Sequence, residues 1–409
     1  MKVLFYGTYP NQGIGYSKIA NKITNFLSEQ KNIDLYYFGI SNFIKKEQEV
    51  NRPINSNIKF IDAYKEEKKL GNDELYGVNV FTTFIDKIKP DIIFIYNDMI
   101  VISRLFNELI KYYEKNTKTA KIYTYLDIVY EYQRLDMLNH IFNMSDKIFV
   151  FSDFWKEHLS HILVKNDKIE VLYHGIEKEV FKKEDKLFSK KQCGLSEDSF
   201  VILNSNRNTY RKANDITIAA FLKFLKLTRM NKNVKLFLNC SLQSPSGYDI
   251  MAIINLECIQ LQLDYDIVVN NHIFMFQNLP NDEKMNYLYN ASEIGINTCL
   301  GEGFGLCNIE HASIGKPQII SQVGAFNDIF KDVDVYSFVK PQFKYYCPKH
   351  VDDHGGYLEF CNSDDFSNLM FDMFNNYDKY QSVYENFSNK LLLKYDWNTI
   401  LNNMYEHFQ

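Results

Sequence analysis

One stretch of the sequence decides the fold: Lys89-Pro90-Asp91-Ile92-Ile93-Phe94-Ile95-Tyr96-Asn97-Asp98. Pro90 ends the helix that is predicted over Val78–Ile88, because proline cannot continue a helix. The apolar run that follows is short and uninterrupted, which is typical of a strand buried on both faces of a parallel sheet. Similar runs recur along the chain, separated by helical patterns such as Tyr16–Leu27. They predict strands at Val3–Tyr6, Leu35–Ile40, Ile58–Ile61, Lys121–Tyr125, Lys147–Phe151, Lys168–Tyr173, Phe200–Asn204, Val234–Asn239, His272–Phe276, Ile294–Asn297 and Gln318–Ser321.

A Lys/Glu-rich segment, 177–191, interrupts this alternation, and the pattern then restarts. The sequence therefore predicts two doubly wound, Rossmann-like α/β domains that face each other across a cleft. The first spans 1–178 and is joined by a C-terminal helix at about 396–409, and the second spans 190–395. Ligands of open α/β sheets bind outside the carboxyl ends of the strands, so we expect the site there, in the cleft.

Composition excludes several classes of protein. The chain has 409 residues, 46 Lys+Arg, 51 Asp+Glu and a net charge of -5, which gives no electrostatic footprint for nucleic acid. Its seven cysteines form no C-x-x-C pair and predict a reducing compartment. No apolar run approaches the ~20 residues that cross a bilayer. We expect a cytoplasmic protein, at most peripheral to a membrane, and the oligomeric state stays open.

The first candidate motif is a glycine-rich turn between the first strand and the first helix, Gly13-Ile14-Gly15-Tyr16-Ser17. Glycines let backbone N–H groups approach an anion, and a helix N-terminus favours negative charge. The motif is not G-x-G-x-x-G, because Lys18 stands three residues after Gly15. A plain tight turn is the alternative interpretation.

The second motif is the polar loop Asn204–Lys212, after the first strand of the second half. Arg207 and Lys212 bracket it, and two cations at the carboxyl end of a strand suit a diphosphate. A solvated basic turn would explain the same residues.

The third motif is Leu300-Gly301-Glu302-Gly303-Phe304-Gly305-Leu306-Cys307-Asn308-Ile309-Glu310. Gly305 precedes a predicted helix, so the N–H groups of Phe304 to Cys307 would be free to bind phosphate or sugar oxygens. The carboxylates of Glu302 and Glu310 suit the vicinal hydroxyls of a ribose or a hexose.

Two Asp-x-Asp pairs, Asp264-Tyr265-Asp266 and Asp332-Val333-Asp334, could in principle hold Mg²⁺ or Mn²⁺. Neither stands convincingly at the end of a strand, and chance is the better interpretation in an acid-rich chain. The sequence therefore predicts no metal site and no required cofactor.

Together these motifs resemble the pattern of the group 1 glycosyltransferases, which are the retaining family 4 of the GT-B kind. The resemblance extends over almost the whole chain. The most specific mark is the pair of glutamates, Glu302 and Glu310, separated by seven residues. The other matching segments are Gly13–Ser17, Lys89–Phe94 with Asn97-Asp98, Phe151–Phe154, His174-Gly175-Ile176 with Phe181, Arg207 with Lys212, Leu279-Pro280 through Tyr289–Ser292, and Tyr395-Asp396-Trp397.

The segment Tyr123–Asp127 departs from that pattern. Many relatives carry a histidine at the end of this strand, and here Leu126 occupies the place. One branch of the family has an aromatic-x-x-x-Asp arrangement, which Tyr123 to Asp127 resembles. Asp127 would then hold the acceptor or the sugar, and capping of the next helix is the structural alternative.

The resemblance implies transfer of a sugar from a UDP- or GDP-sugar to a glycan, lipid or other hydroxyl acceptor, with retention at the anomeric carbon. Glu310 would hold the ribose and Glu302 the hydroxyls of the donor sugar. Arg207, Lys212 and the backbone at Gly13 and Gly15 would stabilise the leaving diphosphate. The implied catalytic residues are Asp127, Arg207, Lys212 and Glu302, and the implied donor-binding residues are Gly13, Gly15, Arg207, Lys212, Glu302, Gly303, Phe304, Gly305, Leu306 and Glu310.

Two rival functions stay open on the sequence. An NAD-dependent oxidoreductase would need the G-x-G-x-x-G turn that is missing here. A sugar- or nucleotide-binding relative without catalytic activity would keep the same fold, although the intact Glu302/Glu310 and Arg207/Lys212 pairs favour an enzyme.

Overall fold

The computed structural model describes residues 1–42, 50, 52–163, 167–276 and 281–409. The chain forms two compact units. The first comprises Met1–His174, Cys347–Gly356 and Asn398–Gln409, and the second comprises Gly175–Tyr346 and Tyr357–Trp397. Within the described ranges, no helix is long and apolar enough to span a membrane.

The first unit is built on a seven-stranded parallel sheet in the order β3-β2-β1-β4-β5-β6-β7. Its strands are β1 Lys2–Thr8, β2 Asp34–Ile40, β3 Lys59–Asp62, β4 Ile92–Asp98, β5 Lys121–Asp127, β6 Lys147–Val150 and β7 Ile169–Val171. Its helices are α1 Gly15–Ser28, α2 Ala63–Lys69, α3 Phe81–Ile88, α4 Met99–Tyr113, α5 Leu135–Met144 and α6 Asp153–Ile162.

Aromatic side chains fill the core of the first unit. Phe94, the third residue of β4, packs against Phe5, Phe149 and Phe408, with ring centroids 5.4, 5.9 and 5.8 Å away. Ring contacts at these distances add to the stabilisation that burial of area alone gives. Phe408 follows the last helix of the chain, so the C-terminal segment completes this core.

The second unit contains a six-stranded parallel sheet in the order β10-β9-β8-β11-β12-β13 and an antiparallel ribbon, β14-β15. The strands are β8 Phe200–Asn204, β9 Val234–Leu238, β10 Ile273–Phe274, β11 Ile294–Asn297, β12 Gln318–Ser321, β13 Phe338–Val339, β14 Phe343–Tyr346 and β15 Tyr357–Phe360. The helices are α7 Lys186–Gln192, α8 Asn214–Leu227, α9 Ile250–Leu261, α10 Tyr265–His272, α11 Asp282–Ala291, α12 Leu306–Ser313, α13 Phe326–Ile329, α14 Ser363–Asn375 and α15 Tyr377–Lys394, and α16, Trp397–Glu406, follows.

The predicted fold class, two doubly wound α/β domains with parallel sheets, is confirmed. The strands Phe200–Asn204, Ile294–Asn297 and Gln318–Ser321 have the predicted bounds. The strand predicted at His272–Phe276 is shorter in the structure, where it spans Ile273–Phe274. His272 is instead the last residue of α10. Leu279 and Pro280, part of a segment that resembles the family, lie outside the described residues.

The segment Cys347–Gly356 joins the first unit, although the sequence analysis placed it in the second. Arg134 accounts for the difference, because its guanidinium binds Asp353 at 3.0 Å and its backbone N–H donates to the carbonyl of His354 at 3.0 Å. Gly356 lies close against Tyr130, where a Cβ would come within 2.7 Å of the Tyr130 Cβ. The residues in contact are far apart in the sequence, so no local sequence pattern predicts these contacts.

His354 provides the charge that holds this segment. Its Nδ1 lies 2.5 Å from Asp352, and its Nε2 lies 3.7 Å from Asp98 at the end of β4. Burial alone would lower the pKa of His354, but the hydrogen bond to Asp352 and the charge of Asp98 raise it to about 10. The imidazole is therefore a cation at neutral pH, when it binds both carboxylates.

We expect the stability of the first unit to depend on pH through His354. Because the folded-state pKa is raised above the ordinary value, the stabilisation is complete below about pH 6.5 and is lost as the pH rises through about 10. His354→Gln should remove about 1.5–3 kcal/mol at neutral pH, the value of a charged hydrogen bond, and much less at high pH. Denaturant unfolding at about pH 6 and about pH 9.5 measures this difference.

The matched control is His350→Gln, an exposed histidine of the same segment. It should leave the stability unchanged at both pH values. An equal loss of stability for His354→Gln at low and high pH would contradict the ion-pair explanation.

Candidate functional site

Each parallel sheet has a switch point, where the strand order reverses and ligands of this fold class bind. In the first unit it lies between β1 and β4, and in the second between β8 and β11. The predicted site residues gather near these two places in their own units. Gly13, Gly15 and Asp127 belong to the first unit, and Arg207, Lys212, Glu302, Gly303, Phe304, Gly305, Leu306 and Glu310 belong to the second.

A buried ion cluster, formed by Arg211, Lys212 and Glu302, occupies the switch point of the second unit. Lys212 ends a 3₁₀ turn after β8, and its amine donates a short hydrogen bond to Oε2 of Glu302. Arg211 lies 3.6 Å from Oε1 of the same carboxylate and donates to the carbonyl of Gly301 at 2.7 Å. These ion pairs thus connect two loops that follow different strands, β8 and β11.

The cluster keeps Glu302 ionised. Burial alone would raise the pKa of Glu302, but the charges of Lys212 and Arg211 outweigh it and hold the pKa at about 2. Asn297, the last residue of β11, donates to Oε2 of Glu302 at 3.4 Å and to Asn308 at 2.8 Å. Glu302 is consequently a fixed carboxylate that can accept hydrogen bonds from a bound hydroxyl compound.

Glu310 lies in a different environment, on α12. It is 8% exposed, and its Oε2 accepts a hydrogen bond from the hydroxyl of Tyr289 at 3.0 Å. The Tyr289 ring stacks on His311, whose Nε2 lies 3.0 Å from the Tyr289 carbonyl. Burial lowers the pKa of His311 to about 3, so this imidazole is neutral. Glu310 is therefore positioned by a phenol, whereas Glu302 is positioned by cations.

Gly305 makes the tight turn into α12 possible. Its φ is +84°, in the left-handed region that glycine adopts without strain. A Cβ at this position would lie 2.2 Å from the ring of Phe326. No side chain caps the N-terminus of α12, where Leu306 is the first residue. An uncapped helix start of this kind favours an anion.

Arg207 and Lys212 have unlike surroundings, although the sequence presents them as a pair. Lys212 is buried with Glu302, whereas Arg207 is exposed. Among the residues that the structure describes, the Arg207 guanidinium has no hydrogen-bond or ion-pair partner. Its backbone carbonyl accepts from Asn214 at 3.4 Å. Arg207 is thus a free cation at the carboxyl end of β8. No motif in the sequence predicts a role for Arg211, and only its position beside Lys212 indicates one.

The glycine turn of the first unit is held from one side by Arg52. The guanidinium donates to the carbonyls of Pro10 at 3.0 Å and Gln12 at 2.5 Å. Gly15 begins α1, and the residue before it provides no side-chain cap. Arg52 was missed because it stands in an irregular stretch that shows no periodicity.

Asp127 ends β5 and is the register neighbour of Asp98 on β4. The hydroxyl of Tyr16 donates a short hydrogen bond to its Oδ2. Burial raises the pKa of Tyr16 well above 10, and the charge of Asp127 raises it further, so the phenol stays protonated. Asp127 caps no helix, because α5 begins at Leu135 and follows Arg134. Capping of the next helix, the alternative that the sequence offers for Asp127, is therefore wrong.

Two of the resembling segments meet within the second unit. The N–H of Ile176 donates to the carbonyl of Tyr395 at 2.8 Å, and Ile176 forms a parallel bridge with Asp396. A Cβ on Gly175 would lie 2.4 Å from the indole of Trp397. The glycine in His174-Gly175-Ile176 is explained by this close approach.

The Asp-x-Asp pairs have structural or solvent-facing positions. Asp264 caps α10 by accepting from the N–H of Ile267 at 2.9 Å, and Asp332 and Asp334 are exposed. Within the described ranges, no three His, Cys, Asp or Glu side chains gather in a way that could hold a metal ion. Independence from metal stays a prediction.

Comparison with known proteins agrees with this fold. No family model matches the chain. An uncharacterised glycosyltransferase of Methanocaldococcus jannaschii is 27% identical over 169 residues, which is 40% of this chain and 39% of that protein. The match thus spans about two fifths of the relative's length.

Two solved structures match over the whole chain. Sucrose-phosphate synthase from Thermosynechococcus elongatus has a TM-score of 0.73 at 14% identity, with 100% of this chain and 98% of that chain covered. HepE from Anabaena, in complex with UDP and glucose, has a TM-score of 0.69 at 14% identity, with 100% and 99% covered. The fold of the two parallel-sheet units therefore matches that of these GT-B glycosyltransferase structures.

Substitution of Gly305 should disturb the site of the second unit. Gly305→Ala combines backbone strain with a clash against Phe326, and we expect a loss of about 2–4 kcal/mol in unfolding free energy. Gly194→Ala is the matched control, because Gly194 has a similar φ of +70° and no atom within 4 Å of its Cβ position. Chemical denaturation of both variants isolates the clash. Equal losses for the two variants would show that Phe326 can move aside.

Proposed function

We propose that the chain is a retaining glycosyltransferase of the group 1, family 4 kind. It would move a sugar from a UDP- or GDP-sugar to the hydroxyl of a glycan, lipid or other acceptor. The observation that carries the proposal is the constellation at the switch point of the second unit: the fixed carboxylate of Glu302, the carboxylate of Glu310 on α12 and the free cation of Arg207. The complex of HepE with UDP and glucose supports it, because that protein has the same fold.

The two glutamates would divide the donor between them. Glu310 would accept hydrogen bonds from the ribose hydroxyls, and Glu302 from the hydroxyls of the donor sugar. Their surroundings favour this division. Lys212 and Arg211 keep Glu302 ionised and hold its carboxylate in one position. A group that binds a reacting sugar needs such fixed geometry.

Cations and amides would stabilise the leaving diphosphate. Arg207 is exposed and unpartnered among the described residues, so it can meet a phosphate directly. Lys212 has three N–H donors, and its bond to Glu302 leaves others for a phosphate oxygen. The uncapped N-terminus of α12 adds favourable backbone dipoles. Negative charge grows on the diphosphate as the glycosidic bond breaks, and each preorganised donor aimed there is worth about 10²–10³ in rate.

In the first unit, Asp127 would bind the acceptor or the sugar. The hydrogen bond from the Tyr16 hydroxyl orients the Asp127 carboxylate at the carboxyl end of β5. The contribution predicted for the backbone at Gly13 and Gly15 stays a prediction. All seven cysteines are free thiols, which supports a reducing, cytoplasmic location.

The division of roles between the glutamates can be measured by calorimetry with UDP and GDP. Glu310→Ala should weaken binding of the free nucleoside diphosphate by about 1.5–3 kcal/mol, the value of a charged hydrogen bond. Glu302→Gln, which keeps the shape of the buried side chain, should spare nucleotide binding and reduce turnover of the sugar donor.

Glu385→Ala, at a half-exposed glutamate of the same unit, is the control and should change neither quantity. Equal loss of free-nucleotide affinity in the Glu310 and Glu302 variants, with both folded, would refute the division of roles.

Donor turnover in excess EDTA tests whether a divalent ion is needed. The same assay on an Arg207 variant tests whether this cation takes its place. We expect hydrolysis of UDP-glucose or GDP-mannose to persist without a divalent ion, since protein cations and amides stabilise the diphosphate. Arg207→Ala should lower kcat by about 10²–10³. Arg229→Ala, at another exposed arginine of the second unit, should not.

Loss of turnover in EDTA that Mn²⁺ restores and Asp264→Ala or Asp332→Ala abolishes would reject this mechanism. It would point to a metal-dependent transferase.

A further inference from the structure

A pocket lies in the second unit, lined by none of the residues assigned above. It has a volume of about 320 Å³, at the lower end of the range of roughly 300–1,000 Å³ for ligand pockets. Asp215 of α8 and Glu257 of α9 line one part, and Phe343 and Phe360 of the ribbon β14-β15 line another. Gln342, Asn362 and Ser363 add polar side chains.

The ribbon gives this pocket an aromatic wall. Phe343 and Phe360 are direct cross-strand partners, and their rings are parallel within 3° at a centroid distance of 4.8 Å. Phe343 is nevertheless 58% exposed, and Tyr345, which points to the same side of the strand, is 50% exposed. Exposed aromatic rings grouped in this way commonly mark a binding surface.

Carboxylates form the other wall. Burial raises the pKa of both Asp215 and Glu257. Asp215 and Glu257 are only partly buried, and the hydroxyl of Tyr248 is a hydrogen-bond partner of the Asp215 carboxylate. Because both carboxylates line the pocket, they can accept hydrogen bonds from a ligand that donates them.

The chemistry of the two walls restricts the ligand. An anion would be repelled by Asp215 and Glu257, and the nearby cation Lys223 is already bound to Asp364 at 2.7 Å. A purely apolar ligand would desolvate the carboxylates without giving them a hydrogen bond. A sugar ring fits both walls, because it presents C–H groups on its face and hydroxyl donors on its edge.

We propose that this pocket is a saccharide subsite, in which one ring of a neutral oligosaccharide stacks on Phe343 while its hydroxyls donate to Asp215 and Glu257. That the bound chain is the acceptor of sugar transfer rests on the proposed function, whereas the binding itself does not. The subsite would hold an extended glycan by a ring other than the one that reacts.

Binding to a microarray of neutral, acidic and amino oligosaccharides, followed by calorimetry with the tightest neutral ligand, tests this. We expect a neutral oligosaccharide to bind in the absence of nucleotide. Phe343→Ala should weaken it about tenfold through loss of the stacking surface, and Asp215→Asn should weaken it as well. Binding of UDP or GDP to both variants should stay unchanged, which separates this subsite from the donor site.

Phe188→Ala is the matched control, because Phe188 is 48% exposed on α7 and does not line the pocket. Its glycan affinity should equal that of the unaltered chain. The subsite is rejected if no neutral oligosaccharide binds, if Phe343→Ala binds as tightly as the Phe188 variant, or if amino sugars alone bind, which would make the pocket a site for cations.

Discussion

The contact between Lys212 and Glu302 is the interaction on which the candidate site depends. Removing two charges from water is costly, and loss of one partner leaves the other charge uncompensated, a penalty of about 3–5 kcal/mol. The cluster therefore holds the loop after β8 against the loop after β11. A buried ion pair is weak evidence for stability, because the cost of desolvating both charges offsets their attraction.

Both units place polar groups at the carboxyl ends of their central strands, but they use different chemistry. The second unit offers cations, a fixed carboxylate and an uncapped helix start. The first offers Asp98 and Asp127 in register, with Tyr16 and His354 as their partners. Cations suit a diphosphate, and carboxylates suit hydroxyl groups. This contrast supports the proposed separation into a donor side and an acceptor side.

Local sequence patterns predicted the strands well, since a strand buried on both faces, such as Ile294–Asn297, is an apolar run with abrupt ends. Local patterns failed where contacts between residues distant in the sequence determine the structure. The ribbon at Phe343–Tyr346 is exposed and aromatic, so it has neither an apolar run nor clean alternation. The membership of Cys347–Gly356 in the first unit depends on Arg134, far away in sequence. Similarly, motif spacing found Lys212 but could not show that Glu302 binds it and leaves Arg207 free.

The most direct test of the central claim is the affinity of the chain for a series of compounds that share one base: uridine, UMP and UDP, with guanosine, GMP and GDP beside them. If Arg207, Lys212 and the amides of α12 bind a diphosphate, affinity in one series should rise with each phosphate and weaken as salt is added. The sugar donor of that series should then compete with the diphosphate. Equal affinity for nucleoside and nucleoside diphosphate, or no binding of either diphosphate, would contradict the account.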